Sequence, residues 1–406
     1  MPDIEVILLV VGALLLSTVL AAKLSERLRV PSLLLFLLVG MLAGSEGPGG
    51  IDFDSPEVAQ AVGTAALAVI LFSGGLDTRW ATIRTVVAPG LTLATVGVLL
   101  TALVLGTAAW WLLGSFTSFD FGTEGLTWQE ALLLGVIVSS TDAAALFAMF
   151  RGGGPQPVAR IRSVLELESG TNDPVAVILT TAILGLLTSA SLSAAAVLGD
   201  LLVQIALGAV VGIAVGWVGA ALTNRLRLGT PGLYPILVLA IGLITFGISD
   251  VIGANPFLSV YLAGLVLGNR VKEHRDLILD ATDAFAWLAQ IVMFLALGLL
   301  VFPSELLAIA PVSLALAAVL MFLARPAAVF ACLTPFRFDV RAMSYISWAG
   351  LKGAVPIVLA TFPATYGLAA ARDVFNVIFF IVVVSVLLQG LTLPSAAKRL
   401  GVARPA

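Results

Sequence analysis

Four ionisable residues sit inside otherwise apolar stretches, and their spacing suggests ion chemistry. Asp142 lies in SSTDAAAL (139–146), Glu168 and Asp173 in ELESGTNDPVAVIL (166–179), and Lys352 in SWAGLKGAVPIVLA (347–360). Such a group costs about 2.5–3.5 kcal/mol at the centre of a membrane helix on insertion scales. It is kept where it pairs, lines a water-filled cavity or does chemistry. On a helix Ser169 and Asp173 are four apart and share a face, whereas Thr171 is turned away. A hydroxyl and a carboxylate on one face are hard oxygen ligands, suited to a partly dehydrated alkali cation. Glu168 and Asn172 are also four apart, on an adjoining face. Asn172 can therefore be held by Glu168 while Asp173 projects into a cavity.

Asp142 and Lys352 occupy stretches that read as interrupted helices. Ser139, Ser140 and Thr141 compete for backbone hydrogen bonds just before Asp142. Gly350, Gly353 and Pro356 bracket Lys352. Unwound backbone at membrane depth survives only where it is buried in protein or lines a cavity. The half-helix ends carry partial charges of either sign. Asp142 would compensate the positive N-terminal ends and Lys352 the negative C-terminal ends, and the exposed Thr141 backbone carbonyl becomes a cation ligand. A plainer reading makes the four charges a salt-bridge set that only holds helices together. It suits Glu168 and Lys352 better than Asp173.

The elements that position these charges follow from composition. Of 406 residues, 60% are hydrophobic and 11% charged, with a mean hydropathy of +1.11. A soluble domain carries roughly a quarter charged residues, so this chain cannot cover itself against water. The first apolar block is preceded by Asp3 and Glu5 and followed by Lys23, Arg27 and Arg29, the reverse of a signal peptide. Cys332 is the only cysteine, and the only histidine, His274, lies in a charged loop. A disulfide framework, a Cys- or His-ligated metal site and a His-based triad are excluded. The expected metal is the transported alkali cation alone, with no cofactor and no nucleic acid.

Apolar segments of spanning length predict an all-α polytopic membrane protein. Thirteen spans are expected, near 4–22, 31–44, 57–76, 86–113, 131–150, 164–188, 195–222, 233–250, 256–268, 284–302, 307–332, 343–366 and 374–394. Basic residues collect in cytoplasmic loops. Lys and Arg follow every odd-numbered span, with Arg325 near the end of the eleventh, while Arg372 alone lies on the opposite side. The opposite loops are acidic: Glu46, Asp52, Asp54 and Glu57; Asp120 and Glu124; Glu305. This alternation places the N-terminus outside and the C-terminus in the cytoplasm.

An internal repeat is also legible. FLLVGMLAG (36–44) matches VYLAGLVLG (260–268), with Gly40 and Gly44 on Gly264 and Gly268. AVILFSGGL (68–76) lies on IVMFLALGL (291–299) at nearly the same offset. The offset covers seven spans, an odd number, so the two copies point in opposite directions, as in the inverted repeats of secondary transporters.

Three motifs together resemble the monovalent cation:proton antiporter superfamily, in its NhaP-like electroneutral branch. They are Thr141-Asp142 in one broken helix, Glu168 to Pro174 (ESGTNDP) in the next, and Gly350 to Pro356 (GLKGAVP) in the second broken helix. The stretches NPFLSVYLAGLVLGNR, FAWLAQIVMFLALGLLV and SVLLQGLTLPSAAKRLG look most like potassium/proton antiporters of the cell-volume-regulation (CvrA-like) type. The resemblance implies an NhaA/NhaP-like fold, with spans 1–6 and 8–13 as inverted repeats. It implies a core bundle around 131–188 and 343–394, a dimerisation bundle from the remaining spans, and a homodimer in the cell inner membrane. It makes Asp173 the alternate carrier of cation and proton, and Asn172 the residue that replaces a second aspartate of the electrogenic branch. Ser169 and the Thr141 carbonyl become further ligands, and Glu168 forms a structural ion pair with Lys352. The chain departs from the family twice: Lys352 replaces the usual Arg, and Ala143 replaces the usual Pro.

The activity implied is K+/H+ exchange serving pH homeostasis and cell volume, one for one because there is one carrier carboxylate. A Na+(Li+)/H+ antiporter with the same site is the nearest alternative. A cation channel is more distant, since no TVGYG filter is present, and an intramembrane enzyme lacks usable nucleophiles. Residues 1–394 form the expected transmembrane domain, and 395–406 the stub of a cytoplasmic, nucleotide-responsive regulatory tail that this chain lacks.

Overall fold

A computed structural model describes residues 4–28, 30–116, 126–142, 146, 156–188 and 194–403. Ala143, most of the second half of the fifth span, Asp120, Glu124, Arg29, Arg151 and Arg404 lie outside the described residues. In chain order the helices are α1 (Ile4–Leu28), α2 (Ser32–Ala43), α3 (Pro56–Asp77) and α4 (Trp80–Ser115), then α5 (Trp128–Ser139), α6 (Ala159–Thr188) and α7 (Ala194–Arg225). They continue as α8 (Leu233–Val251), α9 (Pro256–Gly268), α10 (Arg275–Leu299) and α11 (Pro303–Phe336), then α12 (Val340–Trp348), α13 (Ala354–Thr365) and α14 (Ala371–Arg399).

Among the described residues, nine of these helices are long and apolar enough to cross a membrane, and α2, α5, α9 and α13 are shorter apolar helices. Each of the thirteen expected segments overlaps one of them. No strand forms among the described residues beyond two isolated bridges. Backbone groups in a bilayer must be satisfied within the chain, and helices do this locally. Helix starts carry the expected chemistry. Ser55 and Asn255 accept from the amides of Val58 and Leu258 ahead of Pro56 and Pro256, while Thr127 and Glu130 form a reciprocal capping box.

Burial sorts the helices. Two thirds of the apolar window of α14 is buried but only 6% of that of α1, so α14 is central and α1 peripheral. Two helix pairs meet through glycine. A Cβ at Gly40 on α2 would stand 2.6 Å from the Leu295 carbonyl and 2.8 Å from Gly298 Cα on α10. Gly264 on α9 has the same relation to Phe72 and Gly75 on α3. Small residues let backbones approach this closely. In addition, α4 and α11 each contain a π-helical turn, at Leu93–Gly97 and Leu320–Ala324.

At one rim, the Arg372 guanidinium at the start of α14 donates to Glu305 at 2.9 Å, lies 3.8 Å from Asp54 and covers the Phe302 ring. Asn376 also donates to Glu305, at 2.8 Å. Nearby, the hydroxyl and amide of Ser304 hold the Glu46 carboxyl below the usual carboxylate range. The half-exposed pairs tie loop ends together and contribute little stability individually.

Candidate functional site

The two interrupted stretches cross beside α6. α5 ends at Ser139, Ser140 is extended and Thr141 and Asp142 are non-helical, before the amide of Leu146 returns to the Asp142 carbonyl. α12 ends at Trp348, and α13 begins only at Ala354. The Asp142 amide donates to the Leu351 carbonyl at 2.8 Å, joining the two gaps. The Lys352 ammonium, 1% exposed, donates to the Ser139 and Ser140 carbonyls at 3.0 Å each. It therefore caps the negative C-terminal end of α5. The Lys352 amide donates to the Ser385 hydroxyl, which bonds Gln389, and Gln389 donates to the Trp348 carbonyl. Backbone groups freed by the second gap are thus collected by α14.

Both glycines of GLKG are steric requirements. A Cβ at Gly350 would stand 2.5 Å from Arg325 Nε, and one at Gly353 would overlap the Asp142 carboxylate at the start of α13. Asp142 thereby lies against the positive N-terminal end of that half-helix. Gly353→Ala is expected to misplace Asp142 and cut transport severalfold, and Gly350→Ala to push Arg325 aside and lower the detergent melting temperature. Overpacking of this kind costs about 1–3 kcal/mol. Flux and thermal melting of the two purified variants check both effects, and wild-type behaviour of both would refute the steric argument.

α6 supplies the remaining groups. Asp173 is 9% exposed and has Asp142 and Lys352 as charged neighbours. The Ser140 hydroxyl faces its carboxylate without reaching hydrogen-bond geometry. Pro174 comes directly after it and has no N–H, so the Gly170 carbonyl loses its helical donor. Ser169 sits one turn below Asp173 on the same face, half-buried, whereas the Thr171 hydroxyl bonds back to the Leu167 carbonyl of its own helix. Thr141 follows the end of α5 in non-helical backbone. Carboxylate, hydroxyl and carbonyl oxygens are the donor types an alkali cation takes.

Two expected contacts are corrected. Glu168 pairs with Arg325, not with Lys352. Arg325 Nη1 and Nη2 reach the two Glu168 oxygens at 2.5 and 2.9 Å, with both side chains 3% exposed or less. A guanidinium matches a carboxylate in bidentate fashion and an ammonium cannot, and the Lys352 ammonium is committed to the α5 carbonyls. Nor does Glu168 hold Asn172. Asn172 Nδ2 donates to the Thr141 hydroxyl at 2.7 Å, while its Oδ1 is buried without a partner. Thr141 thus offers its side chain to Asn172 in addition to the carbonyl that the helix interruption points to.

A family model described as sodium/hydrogen exchanger, transmembrane, matches residues 13–399. The chain belongs to that family. It is 46% identical over 392 residues to a protein of Shewanella oneidensis named K(+)/H(+) antiporter NhaP2, covering 96% of this chain and 66% of that one. It is 42% identical over 398 residues to the K(+)/H(+) antiporter NhaP of Alkalimonas amylolytica, covering 98% and 67%. The chain thus spans about two thirds of the length of these relatives. Its fold matches the sodium proton antiporter MjNhaP1 of Methanocaldococcus jannaschii with a TM-score of 0.79 at 24% identity, covering 97% of this chain and 98% of that one. As a member of the exchanger family, the chain is a multi-pass protein of the cell inner membrane.

In this exchanger-family chain, Arg325 is the buried partner that charge patterning misplaces. Its position near the end of the eleventh span groups it with the basic loop residues, yet it is 3% exposed. One signal is present in the sequence: the run from 303 to 333 is otherwise without basic residues. The second signal is structural. Arg325 is the first residue after the π turn of α11. Such a turn inserts one residue into the helical ladder and re-aims the side chains beyond it.

Proposed function

We propose that this exchanger-family chain is a secondary carrier, not an enzyme, that exchanges K+ for H+ one for one at Asp173. The observation that carries the reading is the division of the buried charges. Glu168 is neutralised by Arg325 and Lys352 is held on helix-end carbonyls, while among the described residues no ion pair involves Asp173. A carboxylate left uncommitted among oxygen donors can take a cation or a proton, and cannot take both. With one such group, exchange carries no net charge. Asn172 steadies the Thr141 turn, Ser169 and the Thr141 carbonyl complete the ion's ligands, and Asp142 balances the half-helix.

In this reading the chain is a homodimer with its N-terminus outside and its C-terminus in the cytoplasm. A core bundle around 131–188 and 343–394 moves against a dimerisation bundle built from the other spans. The inverted relation of spans 1–6 to spans 8–13 is supported by the paired glycine contacts of α2–α10 and α9–α3 and by the π turns of α4 and α11. K+ as the cation is supported by the names of the relatives. A second reading, Na+/H+ exchange at the same site, is favoured by a 28% identical Synechocystis protein named Na(+)/H(+) antiporter NhaS2.

Proton flux in proteoliposomes separates these readings. K+ is expected to drive it more strongly than Na+, Li+ or Rb+ from mildly acid to alkaline pH, and an imposed membrane potential is expected to leave the initial rate unchanged. A rate that climbs steeply with voltage would exclude one-for-one exchange, and a preference for Na+ would select the second reading.

A further inference from the structure

The face of α6 that carries Asp173 also carries Glu166. Glu166, Ser169 and Gly170 are half-buried and Asp173 is 9% exposed, whereas Glu168 and Asn172 are sealed and Leu167 and Thr171 are 4% and 8% exposed. Residues 166, 170 and 173 fall within a narrow wedge at 100° per residue, so they form one stripe along the helix. At 1.5 Å per residue, Gly170 lies about 6 Å along the axis from Glu166 and about 4.5 Å from Asp173. The stripe has a carboxylate at each end.

Tyr261 covers that stripe in the middle. A Cβ at Gly170 would stand 2.5, 2.7 and 2.8 Å from Tyr261 Cε2, Cζ and Oη, so the phenol lies flush on the bare glycine backbone. The ring is 2% exposed, and its hydroxyl has no hydrogen-bond partner. A buried hydroxyl without a partner is costly and calls for an explanation. Its polar surroundings include Thr78, whose hydroxyl donates to the Gly74 carbonyl, and the carboxylate of Glu166. Glu166 in turn has Asp77 and Arg162 as charged neighbours. The unpartnered hydroxyl therefore lies against the Gly170 position of α6, with the acidic pair Glu166 and Asp77 in its electrostatic surroundings.

The two helices that meet at this point are held differently. α9 is locked to α3 by backbone approach at Gly75, Gly264 and Gly268. Beside the Tyr261 contact, α6 meets α9 at a small apolar cluster of Leu167, Leu265 and Ile83 with Val87 and Leu262. Tyr261 is thus mounted on one rigid pair and pressed against the helix that carries Asp173.

We propose that Tyr261 is the gating and selectivity residue on the ion's path. Its ring closes a track between the Glu166–Asp77 pair and Asp173, and its hydroxyl is the oxygen that a dehydrating monovalent cation meets between the two carboxylates. The proposal rests on cation exchange at Asp173 and adds where the ion is checked before it arrives. Sliding of α6 against α9 carries Gly170 away from the ring and opens the track. A phenol oxygen replaces one water of the hydration shell, so losing it weakens cation uptake without removing the carrier.

Two measurements test this, and the first needs no transport. Asp173→Cys is made in a Cys332→Ser background, and a membrane-impermeant thiol reagent is added to each face in turn. Labelling from the Glu166 side is expected to be slow with Tyr261, equally slow in Tyr261→Phe, and severalfold faster in Tyr261→Ala. Equal labelling with Tyr and Ala would overturn the gate, whether or not the protein exchanges cations. The second is K+-driven proton flux in Tyr261→Phe, which keeps the ring and the packing. A severalfold rise in the apparent KM for K+ with the maximal rate retained is expected. An unchanged KM, or a lost maximal rate at unchanged KM, would overturn the ligand role. Failure of the cation–proton reading itself would instead appear as continued exchange after loss of the Asp173 carboxylate.

Discussion

Asp173→Asn is expected to bring K+-coupled proton movement down to the level of protein-free liposomes while leaving the protein folded. The carboxamide has nearly the same shape as the carboxylate and cannot carry a proton in exchange for a cation. The surroundings make the test a clean one. Asp173 is buried next to Asp142, and no ion pair among the described residues depends on it. Burying an unpaired charge is costly, so its removal relieves the fold. The melting temperature in detergent should stay level or rise, as happens where a functional group is kept at the expense of stability. Loss of exchange together with a raised melting temperature would mark Asp173 as the carrier. Exchange that persisted in the variant would remove it from that role. Competition adds a second signature in the unmodified protein. Below the pH at which the carrier titrates, each unit of acidification should raise the apparent KM for K+ about tenfold, because protons and cations compete for one group by mass action.

How much of this site is legible in the sequence differs from residue to residue, for physical reasons. Membrane helices are readable because lipid demands long apolar runs, and the gaps at 139–142 and 349–353 because Ser, Thr, Gly and Pro weaken a helix locally. Helical spacing puts Ser169 and Asp173 on one face, since that relation is internal to α6. Partners on other helices are not readable. The partner of Glu168 is 157 residues away on α11, and a π turn that apolar composition does not announce re-aims it. Asn172 finds the Thr141 hydroxyl because the non-helical stretch 140–142 brings that side chain to α6. Lys352, the more conspicuous cation, draws attention away from Arg325. Glycines tell least of all: Gly170, Gly350 and Gly353 matter for the side chains that lie where their Cβ atoms would be, and no pattern in one chain reveals what occupies an absence.

Arg325→Met is expected to destabilise the protein by about 3–5 kcal/mol, the usual consequence of stranding one charge of a buried pair. The guanidinium reaches both Glu168 oxygens, neither side chain is more than 3% exposed, and water cannot replace the lost partner. Glu168→Leu should do comparable damage by stranding Arg325, whose Nε is already without a hydrogen-bond partner. The double variant Arg325→Met/Glu168→Leu is the informative one. Apolar replacement of a whole buried pair is often neutral, so the double variant should melt well above either single one. Arg325→Lys should fall between, because one ammonium cannot span two carboxylate oxygens. Thermal melting in detergent across the four variants gives the coupling between the two positions. Strictly additive losses would refute the pairing. Transport adds a distinction that melting does not make. If the pair only fastens α6 to α11, the double variant should keep its dependence on K+ with a modest change in rate. The reason is that Lys352 still caps α5 through the Ser139 and Ser140 carbonyls, and Asp173 is untouched. If exchange instead fails in a double variant that melts normally, the Glu168–Arg325 pair does more than fasten: it holds Asn172 and Asp173 at the height where they meet the crossing of the two broken helices.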